Sequence, residues 1–183
     1  MTEIEPPTDK QLIYDELDGA RETFHRLLSS MSPADLRRTA NGVKWNNEEL
    51  LFHMLFGYII VLSLIRIVKL FDRLPRQVGG IFATLLNWLT GPFNTVNYLG
   101  SCIGAKVYSH DRMGGKLDKV CSSLGRSLAR ESERNLRRRM RFPASWDPFF
   151  KDYMTLAEIY HYPTQHFIFH SKQLSAGRKQ QGQ

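Results

Sequence analysis

Among the six histidines of the 183-residue chain, His166 and His170 stand four apart in a segment of helical periodicity. On a helix that spacing puts both imidazoles on one face, with Cβ atoms ~5–6 Å apart. Two rings so placed can reach one metal ion, as the paired histidines of helical zinc sites do. Such a pair is common by chance, so a third ligand is needed. His53 is the candidate, set among Leu50, Leu51, Phe52, Met54 and Leu55. A buried histidine with one satisfied hydrogen bond is the plain alternative. Three imidazoles directed into one core favour a divalent site. Neutral imidazole suits zinc, nickel, copper and iron(II), and no thiolate pattern competes. Three protein ligands leave coordination positions open, the layout of a catalytic rather than a structural centre.

The elements that would carry these residues read as helices. A first helix is expected over about residues 9–31, with Leu12, Leu17, Ala20, Phe24, Leu27 and Leu28 on its buried face. Ser32 and Pro33 then read as the cap and first position of a short helical turn. Asn41-Gly42 signals a turn. Asn46 with Glu49 forms a variant capping box for a second helix, whose apolar face runs through Leu50, Leu51, Met54, Leu55, Tyr58, Ile59 and Leu62 and which Pro75 ends. A short helix is expected over 81–89, stopped by Gly91-Pro92. A third long helix is expected over about 111–139, with Leu117, Val120, Cys121, Leu124, Leu128 and Leu136 inward. Thr155 and Glu158 make a proper capping box for the last helix, running to about Leu174, and Pro163 inside it predicts a kink or a new helical segment. No segment alternates with period two, so strands are not expected. The economical architecture is one all-α domain over 1–183, a four-helix bundle with its core at about 9–175, an insertion at about 75–108 and a polar tail at 176–183.

Composition narrows the function classes. Hydrophobic residues make up 42% and charged ones 23%, a globular balance. The net charge of +7 invites a nucleic-acid or membrane reading, but much of the excess sits in residues 134–141, where a basic helix end suits the dipole. No helix-turn-helix, RNP or zinc-finger pattern accompanies it, so no nucleic-acid partner is expected. Cys102 and Cys121 form neither a CxxC pair nor a disulfide framework and read as reduced thiols of a cytoplasmic protein. The opening MTEIEPPTDK lacks an apolar signal region. The uncharged stretch 77–105 is interrupted by Gly79, Gly80, Gly91, Pro92, Gly100 and Gly104, so it reads as a cap or lid, with peripheral membrane contact left open. No Walker loop, GxSxG elbow or nucleotide-binding glycine fingerprint is present. His25 and His161 read as partly exposed helix residues, and His110 as a minor candidate at the start of the third helix.

Two segments carry a family resemblance. Trp45-Asn46-Asn47-Glu48-Glu49-Leu50-Leu51-Phe52-His53 resembles the part of DinB/YfiT-like proteins where a tryptophan precedes the metal histidine of the second helix. His166-Phe167-Ile168-Phe169-His170-Ser171-Lys172-Gln173-Leu174 resembles their last-helix histidine pair, followed by glutamine and an aliphatic residue. Met31-Ser32-Pro33-Ala34-Asp35-Leu36 is similar to the family's first connection. The resemblance covers roughly residues 10–60 and 146–175. It implies a four-helix bundle with a His₃ metal site at His53, His166 and His170, zinc or nickel as the expected ion, and a dimer in many members. Members with assigned activities include thiol-dependent S-transferases and a mycothiol-dependent isomerase.

The expectation is therefore a metal-dependent enzyme that joins a low-molecular-weight thiol to a small-molecule electrophile. A hydrolase using the same three histidines is a rival, as is a non-catalytic binding or membrane-associated helical module.

Overall fold

The computed structural model describes residues 9–71 and 90–175. The expected short helix at 81–89, the stop at Pro75 and the tail 176–183 lie outside the described residues. Four long helices dominate: α1 (Asp9–Ser30), α3 (Asn47–Phe71), α5 (His110–Ala129) and α7 (Leu156–Ser171). Between them lie the short α2 (Pro33–Leu36), α4 (Thr90–Val107), the short α6 (Glu133–Leu136), and strands β1 (Arg139–Arg141) and β2 (Tyr153–Thr155). The long helices pack in a ring, α1 on α5, α5 on α3, α3 on α7 and α7 on α1, with α4 laid against α3. Among the described residues the fold is all-α apart from one two-stranded antiparallel ladder pairing Met140 with Met154 and an isolated bridge between Thr39 and Asn46.

Burial follows the helical period. Ile13, Leu17, Ala20, Phe24 and Leu28 face inward from α1, so Ile13 rather than the exposed Leu12 continues the stripe. α3 has the length and apolarity to cross a membrane: an 18-residue window within Asn47–Lys69 has a mean hydropathy of 2.2, and 56% of that window is buried within the protein. Its apolar girth has a local cause: α4, α5 and α7 all pack on it.

Three expectations fail here. The third long helix does not reach Arg139; it ends at Ala129, and Ser132 accepts the Asn135 amide to start α6. Leu128 and Leu136 are both buried and stand eight apart, a whole number of helical periods to within a fraction of a turn, so the inward stripe continues in phase across the break. Strands do form, because Arg139–Arg141 and Tyr153–Thr155 are brought together on either side of a connection across 142–152. Their alternation, exposed-buried-exposed in β1, is too short to show as a pattern. Pro163 does not start a new helical segment, since α7 is one helix from Leu156 to Ser171. Gly91-Pro92 lies in the first turn of α4, where proline's missing N–H costs nothing; the helix it was expected to stop, over 81–89, lies outside the described residues.

One device appears twice. In the first half, Ser32 caps α2, the chain turns through a bridge between Thr39 and Asn46, and Asn46 caps α3. In the second, Ser132 caps α6, the chain passes through the β1–β2 ladder, and Thr155 caps α7. Glu49 and Glu158 close the two helix-opening boxes by accepting the backbone N–H of Asn46 and Thr155, at 3.0 and 2.8 Å. Gly42, at φ 73°, takes the left-handed turn that the first connection needs.

The two halves are stitched next to the histidines. Asn47, fully buried, donates from Nδ2 to the Asp35 and Ser175 carbonyls at 2.8 and 2.7 Å, and its Oδ1 accepts the Ser175 N–H at 3.0 Å. The Asn41 N–H donates to the Gln173 carbonyl at 2.7 Å. The end of α7 is thereby held at the start of α3.

Candidate metal centre

His53, His166 and His170 come together between α3 and α7, with one ligand nitrogen from each lying within 4.8 Å of the others. Their ring centroids are 4.5–4.8 Å apart. His53 lies two turns into α3, and Trp45, just before the Asn46 cap, stacks on it at 4.2 Å. His166 fits because residue 57 has no side chain: a Cβ on Gly57 would lie 2.9 Å from His166 Nδ1.

Hydrogen bonding sets the tautomers of two rings. Ser101 Oγ donates to the Asn97 carbonyl at 2.9 Å. Its oxygen is left to accept, so His53 Nδ1, 3.2 Å away, carries a hydrogen. His170 Nδ1 donates to Gln173 Oε1 at 2.6 Å, because an amide oxygen only accepts. Both Nε2 atoms then keep a free lone pair, the arrangement a supporting shell imposes on metal-binding histidine. His166 Nε2 stands 3.1 Å from His53 Nε2. Two nitrogens ~2.0–2.1 Å from a shared zinc at a tetrahedral angle are roughly 3.3 Å apart. That pair matches this spacing, while the three ligand nitrogens as a set span up to 4.8 Å.

Charge points the same way. Burial pushes His53 down to about 3, helped by His170. It lowers His166 well below the usual imidazole value, with His53 and His170 adding to the effect, and lowers His170 as well, against the opposing pull of Gln173. Three neutral rings crowd one point, and His166 Nδ1 has no hydrogen-bond partner among the described residues. A donor set of neutral nitrogens with converging lone pairs fits a divalent ion of borderline softness.

Several contributors had no strong sequence signature. Asp147, in the Trp146-Asp147-Pro148 turn, places Oδ2 at 3.8 Å from His166 Nε2. Its carboxylate accepts the Tyr162 hydroxyl at 3.0 Å and the Phe149 N–H at 2.9 Å, yet desolvation still raises its pKa. Ser101 comes from α4, inside the uncharged stretch read as a cap or lid. Only the motif Trp-Asp-Pro hinted at a built turn, and nothing marked Ser101.

The other histidines stay outside the centre. His25 pairs with Asp118 at 3.0 Å on the α1–α5 surface. His110 Nε2 donates to the Leu28 carbonyl at 2.7 Å and does not reach the three histidines. His161 meets Glu16 at 2.9 Å and is partly exposed on its helix, as expected. Cys102 and Cys121 are free thiols, and burial pushes the Cys121 thiol up to about 12, which removes it as a nucleophile. The arginines 137–141 follow the short α6 rather than ending a long helix, Arg137 as its C-cap and Arg139 and Arg141 in β1; Arg139 and Arg141 pack their guanidinium groups over the Tyr153 ring.

A cavity of about 210 Å³ opens beside His53 and His166, walled by α3, β1, the 142–152 connection and α7. No protein-family model matches the chain, and neither the curated proteins nor the solved structures give a match.

Proposed function

We propose that this protein is a DinB-like, metal-dependent enzyme that transfers a low-molecular-weight thiol to a small electrophile. The observation that carries the proposal is the convergence of His53, His166 and His170 with the Nε2 lone pairs of His53 and His170 left free by Ser101 and Gln173. A divalent ion, zinc or nickel by donor type, would supply a Lewis acid that favours the thiolate form of a bound thiol at neutral pH. The chain's own residues hold the three rings, exclude bulk water through the apolar cavity wall, and keep Asp147 at the edge of the reaction space. In the overall step a sulfur–carbon bond replaces the bond from carbon to a leaving group, and the thiol proton departs with that group. Among the described residues no nucleophile–base pair competes: Cys121 is buried and Cys102 has its pKa raised. The reactive sulfur therefore has to be brought in.

The experiment has two stages. Protein purified without a histidine tag is expected to hold about one divalent ion per chain. Metal-loaded protein is then expected to consume thiol and electrophile faster than His53→Ala does. Equal rates would end the transferase reading.

Asp147 favours a second reading, metal-dependent hydrolysis. Its carboxylate is oriented by Tyr162 and Phe149 within 4 Å of His166, where it could take a proton from water. Turnover of an ester or amide without thiol, lost in Asp147→Asn, would select hydrolysis; a strict thiol requirement would reject it.

A further inference from the structure

The cavity beside the histidines differs in character from a site for polar metabolites. Its wall is built by Phe56, Ile60 and Leu64 from α3 and by Phe142, Trp146 and Phe150 from the second connection. Beyond the two histidines, the side chains with polar groups that reach it are Asn97, Trp146, Asp147 and Tyr162. The Asp147 carboxylate and Tyr162 hydroxyl are bonded to each other. Among the described lining residues there is no lysine or arginine, so away from the histidine end a phosphate or carboxylate group would meet no counter-charge. Burying an unpaired charge in that way is prohibitive.

Size sets a second limit. An apolar cavity of about 150 Å³ stays dry and takes up benzene. At about 210 Å³ this one holds a somewhat larger body, a bicyclic aromatic or a branched aliphatic group, but no nucleotide or coenzyme. The wall is rich in aromatic faces: the Phe150 and Tyr162 rings lie 4.7 Å apart and those of Phe142 and Phe150 5.4 Å apart. Flat aromatic guests gain from stacking against such faces beyond their buried area.

The contrast with the other side of the site sharpens the assignment. Across Asn97, which lines both spaces, an open groove runs along Val43, Lys44, Trp45, Thr95, Tyr98 and Leu99. Polar and charged molecules have water and Lys44 there. The more enclosed cavity has no such cation among its described lining residues.

We infer that the cavity is the binding site for the apolar part of a compact, uncharged, preferably aromatic substrate, held with its polar end toward His53 and His166. This inference rests on the reading of the three histidines as the reactive centre, and it names the electrophile's class: a neutral hydrophobic molecule of about ten non-hydrogen atoms. In the declared geometry, α3 selects for shape through Ile60 and Leu64, while the 142–152 connection supplies the ring faces.

The test uses the whole protein and indole as a neutral probe, with indole-3-carboxylate as its charged counterpart, read by ligand-observed NMR titration. Indole is expected to saturate one site, with the carboxylate at least tenfold weaker. Ile60→Trp and, separately, Leu64→Trp fill the cavity from half-buried positions and are each expected to weaken indole at least tenfold without changing metal content. Circular dichroism identifies a variant that has failed to fold, and the folded one then decides. No saturation by wild type, equal binding of the two probes, or a folded cavity-filling variant that binds indole as wild type does would overturn the inference. Metal analysis of the wild type separates it from the metal reading: indole binding by wild-type protein that holds no metal would leave the cavity standing and remove the reactive centre.

Discussion

The two halves of the molecule, α1–α2–α3 and α5–α6–α7, use the same capped turn but differ in what joins the turn to the next long helix. In the first half the join is short, closed by the Thr39–Asn46 bridge, and it delivers Trp45 onto the face of His53. In the second half the ladder of β1 and β2 holds apart an eleven-residue connection, 142–152, that folds over the site. The seventh residue after each helix cap faces the same cavity, as His53 in one half and Tyr162 in the other. The short connection makes a ligand platform. The long one makes a wall and brings Asp147. A metal ion held by all three rings would need both halves, because α7 supplies only two of them, whereas the cavity wall belongs largely to the second connection and the α3 surface it covers.

The sharpest way to break this division is to remove one ring from each half. His53→Ala and His166→Ala are each expected to take metal content from about one ion per chain to near none by elemental analysis. His161→Ala, also in the second half but facing Glu16, is expected to keep the ion. Retention by both of the first two variants would show that the halves do not share a metal.

A smaller effect is expected where one half only makes room for the other. Gly57→Ala places a Cβ against His166, and the ring has to shift. Metal affinity is expected to fall about 10–100-fold, the usual range for disturbing the supporting shell of a metal histidine, as measured by competition with a chelator. Unchanged affinity would mean that α7 is free to move away from α3.

Acid should expose the same convergence in metal-free protein. His53, His166 and His170 are all held below the usual imidazole pKa by burial, His53 to about 3, while an unfolded imidazole takes up its proton near pH ~6.5. Between those values the unfolded chain binds more protons, so stability is present above pH ~6.5 and is lost as pH falls toward the folded values. The Tm of metal-free protein is expected to be lower at pH 5 than at pH 7.5, and His53→Ala is expected to reduce that difference. An equal Tm at both values would show that the rings are not buried as neutral groups.

The smallest effects test the repeated turn itself. Ser32→Ala and Ser132→Ala each delete the side-chain acceptor of a helix cap, a loss of about 1 kcal/mol. Denaturant unfolding is expected to give similar decreases for the two. A much larger loss for Ser132→Ala would show that the second connection depends on its cap in a way the first does not.

Much of this was legible in the residues taken in order. The caps at Asn46 and Thr155, the turn at Gly42 and the inward stripes of α1, α3 and α5 are local: they follow from side chains competing for nearby backbone groups and from the 3.6-residue period. His166 and His170 share a face for the same reason. The family resemblance and the apolar surroundings of His53 pointed to the third ring, and the fold places it there. The departures arose where distant segments meet. The end of α5 was hidden because Leu128 and Leu136 keep helical phase across a break. The β1–β2 pair was hidden because a three-residue ladder is decided by its partner. Ser101 and Asp147 carry no spacing that relates them to the histidines, since they reach the site from α4 and from the second connection. Local preference selects a helix and one of its faces, but the identity of the atom opposite His53 Nδ1 or His166 Nε2 depends on packing between elements far apart in the chain. Packing energy sums over those long-range contacts, so the site's supporting shell took its form only when the four helices closed.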